Sequence, residues 1–152
     1  MLAQHEIQFP VRYPETDPGG YVHHAHYFTY FEMGRTELLR ASGRTYRDME
    51  AAGAYVVVVR VECRYHRPAR YDDVLRLRTT IVRIRAATVD HEYHLFRDAE
   101  LLAEARVQLC CVDREGNPQR WPEWMTIDEA AARETAAASL RDADESRRDS
   151  TT

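Results

Sequence analysis

The stretch YFTYFEMGRTELLRASG at residues 27–43 decides the architecture. Tyr27, Tyr30, Phe31, Gly34, Leu38 and Ala41 recur at spacings of three and four, the period of a helix with one apolar stripe. Gly43 follows as a C-terminal cap, because glycine accepts the left-handed backbone that commonly ends a helix. Phe28, Met33 and Leu39 lie off the stripe. The helix is therefore apolar around much of its circumference, and the expectation is that it is enclosed rather than laid on a surface. Gly34 at its middle permits a close backbone approach.

Outward from this helix the apolar period becomes two. Tyr55, Val57, Val59, Val61, Cys63 and Tyr65 alternate with Arg60, Glu62 and Arg64, which reads as a long half-buried strand. Leu75, Leu77, Thr79 and Ile81 alternate with Arg76 and Arg78, and then the apolar parity slips to Val82 and Ile84, the mark of a bulge or bend. Val89 to Leu95 and Leu101 to Cys111 give two further runs, the last ended by the turn residues at 113–118. On the other side of the helix, residues 5–13 read as a first short strand. The Ala-rich stretch at 127–140 reads as a short helix, followed by a charged, serine-rich tail expected to be disordered. The order predicts an α+β chain: residues 1–126 form one domain, a sheet curled around one helix with the last four strands in a meander, and residues 127–152 are an appendage. With no alternating strand–helix units, the sheet is expected to be antiparallel. Such a sheet leaves edges and an outer face to be managed, which points to a second copy of the chain.

The chain has 152 residues, with 25 acidic against 21 basic side chains and a formal charge of -4. All of the basic residues are arginine, because the sequence holds no lysine. This excludes Schiff-base and pyridoxal-phosphate lysines and a Walker-type phosphate loop. An acidic balance with arginines spread along the chain argues against nucleic acid as a partner. Cys63, Cys110 and Cys111 are too few for a disulfide framework, so reduced thiols and a cytoplasmic location are expected. Neither a signal peptide nor a membrane span is legible.

The chemistry concentrates just before the helix, in the turn-rich cluster at 14–20. Asp17 sits there with its carboxylate expected close to the first-turn N–H groups, which lack intrahelical partners and form an anion site. It is either a cap of the turn or helix, or a base or nucleophile. His23, His24 and His26 open the helix in this reading, at spacings that do not converge on a metal, so no metal site is assigned. No Gly-x-Ser-x-Gly elbow is present and no cysteine is placed as a nucleophile.

The stretch YPETDPGGYVHHAHY at 13–27 closely resembles the signature of the 4-hydroxybenzoyl-CoA thioesterase family, the short bacterial hot-dog-fold acyl-CoA thioesterases. The similarity continues through Phe31-Glu32 and Arg35-Thr36-Glu37 and into Tyr65-His66-Arg67-Pro68-Ala69-Arg70-Tyr71-Asp72-Asp73, and covers about Ile7 to Asp113. The resemblance implies the hot-dog fold, a five-stranded antiparallel sheet wrapped around one long helix. It also implies homodimers or homotetramers with active sites between subunits, and an acyl-CoA substrate. By this resemblance Asp17 is the catalytic carboxylate, acting as general base for water or as nucleophile. His24 is the position whose backbone N–H polarises the thioester carbonyl, and Tyr13 is an aromatic lining residue. No cofactor is implied, since coenzyme A is part of the substrate. Two positions depart from the pattern: Glu15 stands where many relatives have aspartate, and His26 where several have a small polar residue.

Tyr27 flanks the same loop and is a candidate for shaping a pocket. Coenzyme A carries phosphates that suit the planar arginine fork; Arg67 is the substrate-binding candidate, with Arg70, Arg83 and Arg85 as further candidates. Two rivals to hydrolysis stay open, a non-catalytic acyl-CoA-binding or assembly module on the same fold and a hydratase.

Overall fold

The computed structural model describes residues 1–128 and individual positions between 130 and 148. In chain order its elements are β1 (Gln4–Pro10), a single 3-10 turn (Tyr13–Glu15), α1 (His26–Ala41), α2 (Tyr46–Ala51), β2 (Tyr55–Tyr65), β3 (Val74–Ile84), β4 (Thr88–Arg97) and β5 (Glu100–Val112). The strands form one five-stranded antiparallel sheet in the order β1-β3-β4-β5-β2. The helix α1 packs across it, and the α+β hot-dog architecture expected from the sequence is the one observed.

The stripe of α1 is buried as its spacing requires: Tyr27, Tyr30, Phe31, Gly34 and Leu38 all face inward, with Leu39 beside them. They meet the inward row of β3, Leu75, Leu77, Thr79 and Ile81, and its continuation in β4, Val89, His91, Tyr93 and Leu95. Phe31 lies on Tyr93 with ring centroids 4.8 Å apart. Large buried aromatics of this kind supply about 1.5–3 kcal/mol each relative to exposure. The slip anticipated at Val82 is a real irregularity, because the β3–β4 register shifts between Ile81 and Arg83.

Four expectations need correction. The four later strands are not a simple meander: β3, β4 and β5 are, but β2 pairs with β5 at the far edge while β1 takes the edge beside β3. The connection at 66–73 is too long for a tight hairpin and instead carries the chain across the sheet. The first strand stops at Pro10, because Val11 leaves the ladder and the chain winds into the 3-10 turn. The helix is not enclosed all round; Phe28 is 43% and Met33 37% exposed, since one sheet covers one side only. For the same reason β2 is not half-buried, with Val57, Val58, Val59 and Val61 all exposed at an edge. The sequence reading also missed α2, whose Thr45 side chain and Asp48 form a reciprocal capping box. Of the helix read over 127–140, the described residues Ala130, Ala132, Glu134, Thr135, Ala137 and Ala138 are helical; in the tail expected to be disordered, Arg141, Glu145 and Arg148 are helical too, and the remaining positions after Asp128 lie outside the described residues. Asp128 caps the described start of that segment, accepting from the Ala130 N–H at 2.9 Å.

Candidate active site

Between the 3-10 turn and α1 the chain makes a small hairpin, closed by an antiparallel bridge between Thr16 and Val22. Asp17 is at its tip. The Asp17 N–H donates to the Tyr21 carbonyl at 2.8 Å and the Gly20 N–H donates back to the Asp17 carbonyl at 2.9 Å. Gly20 has φ +81°, a left-handed conformation that suits glycine. The carboxylate is fastened from inside the turn: Oδ1 accepts from the Gly19 N–H at 2.8 Å and from the Tyr21 N–H at 3.3 Å. Oδ2 receives no hydrogen bond among the described residues.

This differs from the expected helix-capping placement. The helix begins at His26 rather than His23, and Asp17 takes its donors from its own loop, so none of the α1 N–H groups is spent on it. His24 lies in the turn that leads into α1. Its N–H, like that of Tyr27, has no partner among the described residues, while its carbonyl accepts from the Tyr65 hydroxyl at 3.0 Å. The imidazole of His24 stacks on His23 at 4.2 Å, and His26 meets His23 edge-on at 6.2 Å. The two motif segments come together here. Tyr21 bridges Arg70, and the Val22 N–H donates to the Ala69 carbonyl at 2.9 Å. The Val11 N–H donates to the Asp73 carbonyl, also at 2.9 Å.

Tyr13 is 74% exposed beside this loop, its ring edge-on to Tyr71 at 5.6 Å. Tyr27 is 3% exposed and lies beneath the loop, its ring edge-on to Tyr65 at 4.8 Å and its hydroxyl accepting from the Ala69 N–H at 3.4 Å. Burial pushes the Tyr27 phenol up, so it stays neutral and supports the site from below. Arg67 is half-exposed and faces Glu100 at 3.6 Å. Arg70 is the arginine that the fold brings to the Asp17 loop, its guanidinium 4.6 Å from the Tyr21 ring centroid. Arg83 and Arg85 are at the other end of β3, about 30 Å along the strand from Asp73, and Arg85 is paired with Asp90.

Sequence reasoning missed the groups that hold this assembly. Glu15 is 4% exposed, and its Oε2 accepts from the Arg12 N–H and from the Tyr30 hydroxyl, both at 2.8 Å. Its Oε1 accepts from Arg12 Nε at 3.0 Å, and its carbonyl accepts from the His23 N–H at 2.9 Å. Burial raises the Glu15 pKa, but the donors from Arg12 and Tyr30 outweigh it and leave the carboxyl below its ordinary value. A carboxyl lowered by folding stabilises the protein above its unfolded value near 4.5, and that contribution is lost as pH falls through the folded value. The melting temperature is therefore expected to fall on acidification below about pH 5, and to do so less steeply in Glu15→Gln. Identical slopes in the two proteins by differential scanning calorimetry would contradict this role. On the other segment Arg97 donates to Asp73 at 2.8 Å, to the Pro68 carbonyl at 3.3 Å and to Glu100 at 2.6 Å. Asp73 in turn accepts from the Arg70 N–H at 2.8 Å.

Residues 11–128 match the family model described as "Thioesterase-like superfamily". The acyl-CoA thioesterase YbgC of Haemophilus influenzae is 38% identical over 115 residues, covering 74% of this chain and 85% of that protein. The acyl-CoA thioester hydrolase YbgC of Escherichia coli O157:H7 is 36% identical over 110 residues, covering 70% and 82%. Among solved structures, a protein from Bartonella henselae described as a probable thioesterase superposes with a TM-score of 0.75 at 34% identity, covering 79% of this chain and all of that one. The DHNA-CoA thioesterase of Staphylococcus aureus shares the fold, with a TM-score of 0.76 at 24% identity over 91% of this chain and 93% of that one. The chain belongs to the thioesterase-like superfamily, among its hot-dog-fold members. It is an enzyme of the thioester hydrolase class. No helix among the described residues is long and apolar enough to cross a membrane.

Proposed function

We propose that this protein hydrolyses acyl-CoA thioesters to a carboxylic acid and free coenzyme A, with Asp17 as the catalytic carboxylate. The observation that carries the reading is the half-satisfied Asp17: Oδ1 is fixed by two backbone donors while Oδ2 is left to act. In the base route, Oδ2 takes a proton from water as the water oxygen bonds to the thioester carbon. The carbonyl electrons move onto oxygen, and the unpaired N–H groups at the entrance to α1, His24 foremost, stabilise that oxyanion. Collapse breaks the carbon–sulfur bond, and the departing thiolate takes up the proton. In the nucleophilic route Oδ2 bonds to the carbonyl carbon, the thiolate leaves, and water then cleaves the acyl-Asp17 anhydride. Label found in Asp17 after single-turnover hydrolysis in heavy-oxygen water would establish the nucleophilic route, since water adding to the Asp17 carbonyl of the anhydride leaves its oxygen there and the base route never does.

Tyr13 at the exposed rim suits an aromatic contact with substrate, and Arg70 is better placed than Arg67 for a coenzyme A phosphate because it adjoins the Asp17 loop. Arg67→Ala is then expected to leave KM nearly unchanged. Three free thiols fit a reducing, cytoplasmic setting.

The working form is a homodimer or homotetramer. The exposed valines of the β2 edge and the uncovered Phe28 and Met33 on α1 are apolar surface that a second copy would cover. Sedimentation at micromolar concentration is expected to give at least a dimer; a monomer would contradict it.

A further inference from the structure

At the C-terminal half of α1, remote in sequence from the Asp17 loop, a small, partly open cavity lies between α1, α2, β4 and Trp121. Its wall is largely apolar, with Leu38, Met49, Val89 and Met125 among the lining side chains. Into this wall the fold sets Arg35, whose side chain is only 11% exposed. Its one carboxylate partner among the described residues is Glu32, at 3.4 Å and itself 68% exposed, and the Tyr46 and Tyr93 hydroxyls beside it answer the buried charge only as neutral dipoles. Among the described residues Arg35 Nε has no hydrogen-bond partner, and neither has Trp121 Nε1 nor His91 Nδ1, although Trp121 is 8% and His91 4% exposed. All three residues line the cavity. Buried polar groups of native proteins are nearly always satisfied, and a buried cation is costly without a counter-charge.

We propose that this cavity is a binding site for a small monovalent anion of halide size, held by the Arg35 guanidinium and the Trp121 indole N–H. The cavity volume of ≈ 20 Å³ is enough for one small occupant of water size or a little more. The donor set selects the sign. Guanidinium and indole only donate, and Arg35 repels a cation. Burial, with the Arg35 charge beside it, pushes the His91 pKa down to about 3, so the ring is neutral and can add a third donor from Nδ1. The apolar surround strengthens the attraction by keeping its dielectric low. The anion would supply the counter-charge that Glu32, out in solvent, supplies poorly. This site does not depend on the role given to Asp17.

Two measurements on the full chain test it. Chloride is expected to raise the melting temperature saturably by about 3 °C, while gluconate at matched ionic strength does not, and Arg35→Met abolishes the difference. Crystals of the unaltered protein soaked in bromide should show an anomalous peak within hydrogen-bond reach of Arg35 and Trp121. Equal responses to the two salts, a chloride effect that survives in Arg35→Met, or no bromide peak in the cavity would overturn the proposal. Should Arg35→Met fail to fold, the bromide map decides alone.

Discussion

Asp17→Asn is expected to lower the rate of thiol release from an acyl-CoA by at least about a thousand-fold. A positioned base alone is worth about a hundred- to ten-thousand-fold, and the nucleophilic route loses its attacking group altogether. Asparagine keeps an oxygen that can accept from the Gly19 and Tyr21 N–H groups, so the turn is expected to persist. What it loses is the charge on the other position, replaced by an amide that can neither take a proton nor attack. The circular dichroism and melting temperature should therefore stay within error of the parent. Retained turnover would remove Asp17 from the chemistry and return it to a purely structural turn residue. A lost fold accompanied by lost turnover would be settled by Asp17→Glu, which keeps the charge and should retain measurable activity.

Gly34→Val is expected to cost about 3 kcal/mol, lowering the melting temperature by about 6–12 °C. The reason is the crossing of α1 over β3. A Cβ at position 34 would fall within contact distance of Thr79 Oγ1 and at 2.8 Å from Leu77 Cδ2. Thr79 is β-branched, fully buried and stiff, so it has little room to yield. Gly34→Ala should cost less, because the overpacking of about 1–3 kcal/mol is partly offset by the roughly 1 kcal/mol that alanine gains over glycine in a helix. Thr79→Ala removes the hydroxyl, which has no hydrogen-bond partner among the described residues, and should restore most of that loss. Additive effects of the two substitutions would contradict the close approach.

Much of this fold was legible because period reports burial. The apolar stripe of α1, the alternation of β3 and the parity slip at Val82 each have a direct counterpart in the structure. Alternation identifies a strand but not its neighbours, and so β2 was read as the next rung of a meander when it pairs with β5. Nor does alternation say whether a surface is covered: Phe28, Met33 and the β2 valines are apolar yet exposed in the single chain.

The candidate site was legible in part for a similar reason. Asp17, the glycines and the histidines announce a tight turn before a helix, and they are found there. The network behind them joins residues far apart in sequence, as in Tyr30 to Glu15 or Arg97 to Asp73, and local spacing carries no trace of such pairs. Tyr65 and Asp73 could have been found from the second motif, where they stand at its two ends. Local spacing likewise does not show that Ala69 backs onto Val22, the contact that sets Arg70 beside the Asp17 loop.

The most direct test of the account is steady-state thiol release by the full chain over a panel of acyl-CoAs of aromatic, short and long acyl groups, with products identified by mass spectrometry. The account predicts equal amounts of free coenzyme A and carboxylic acid from at least one class of acyl group. Binding of acyl-CoA without thiol release, or addition of water to an enoyl-CoA with the thioester intact, would contradict it.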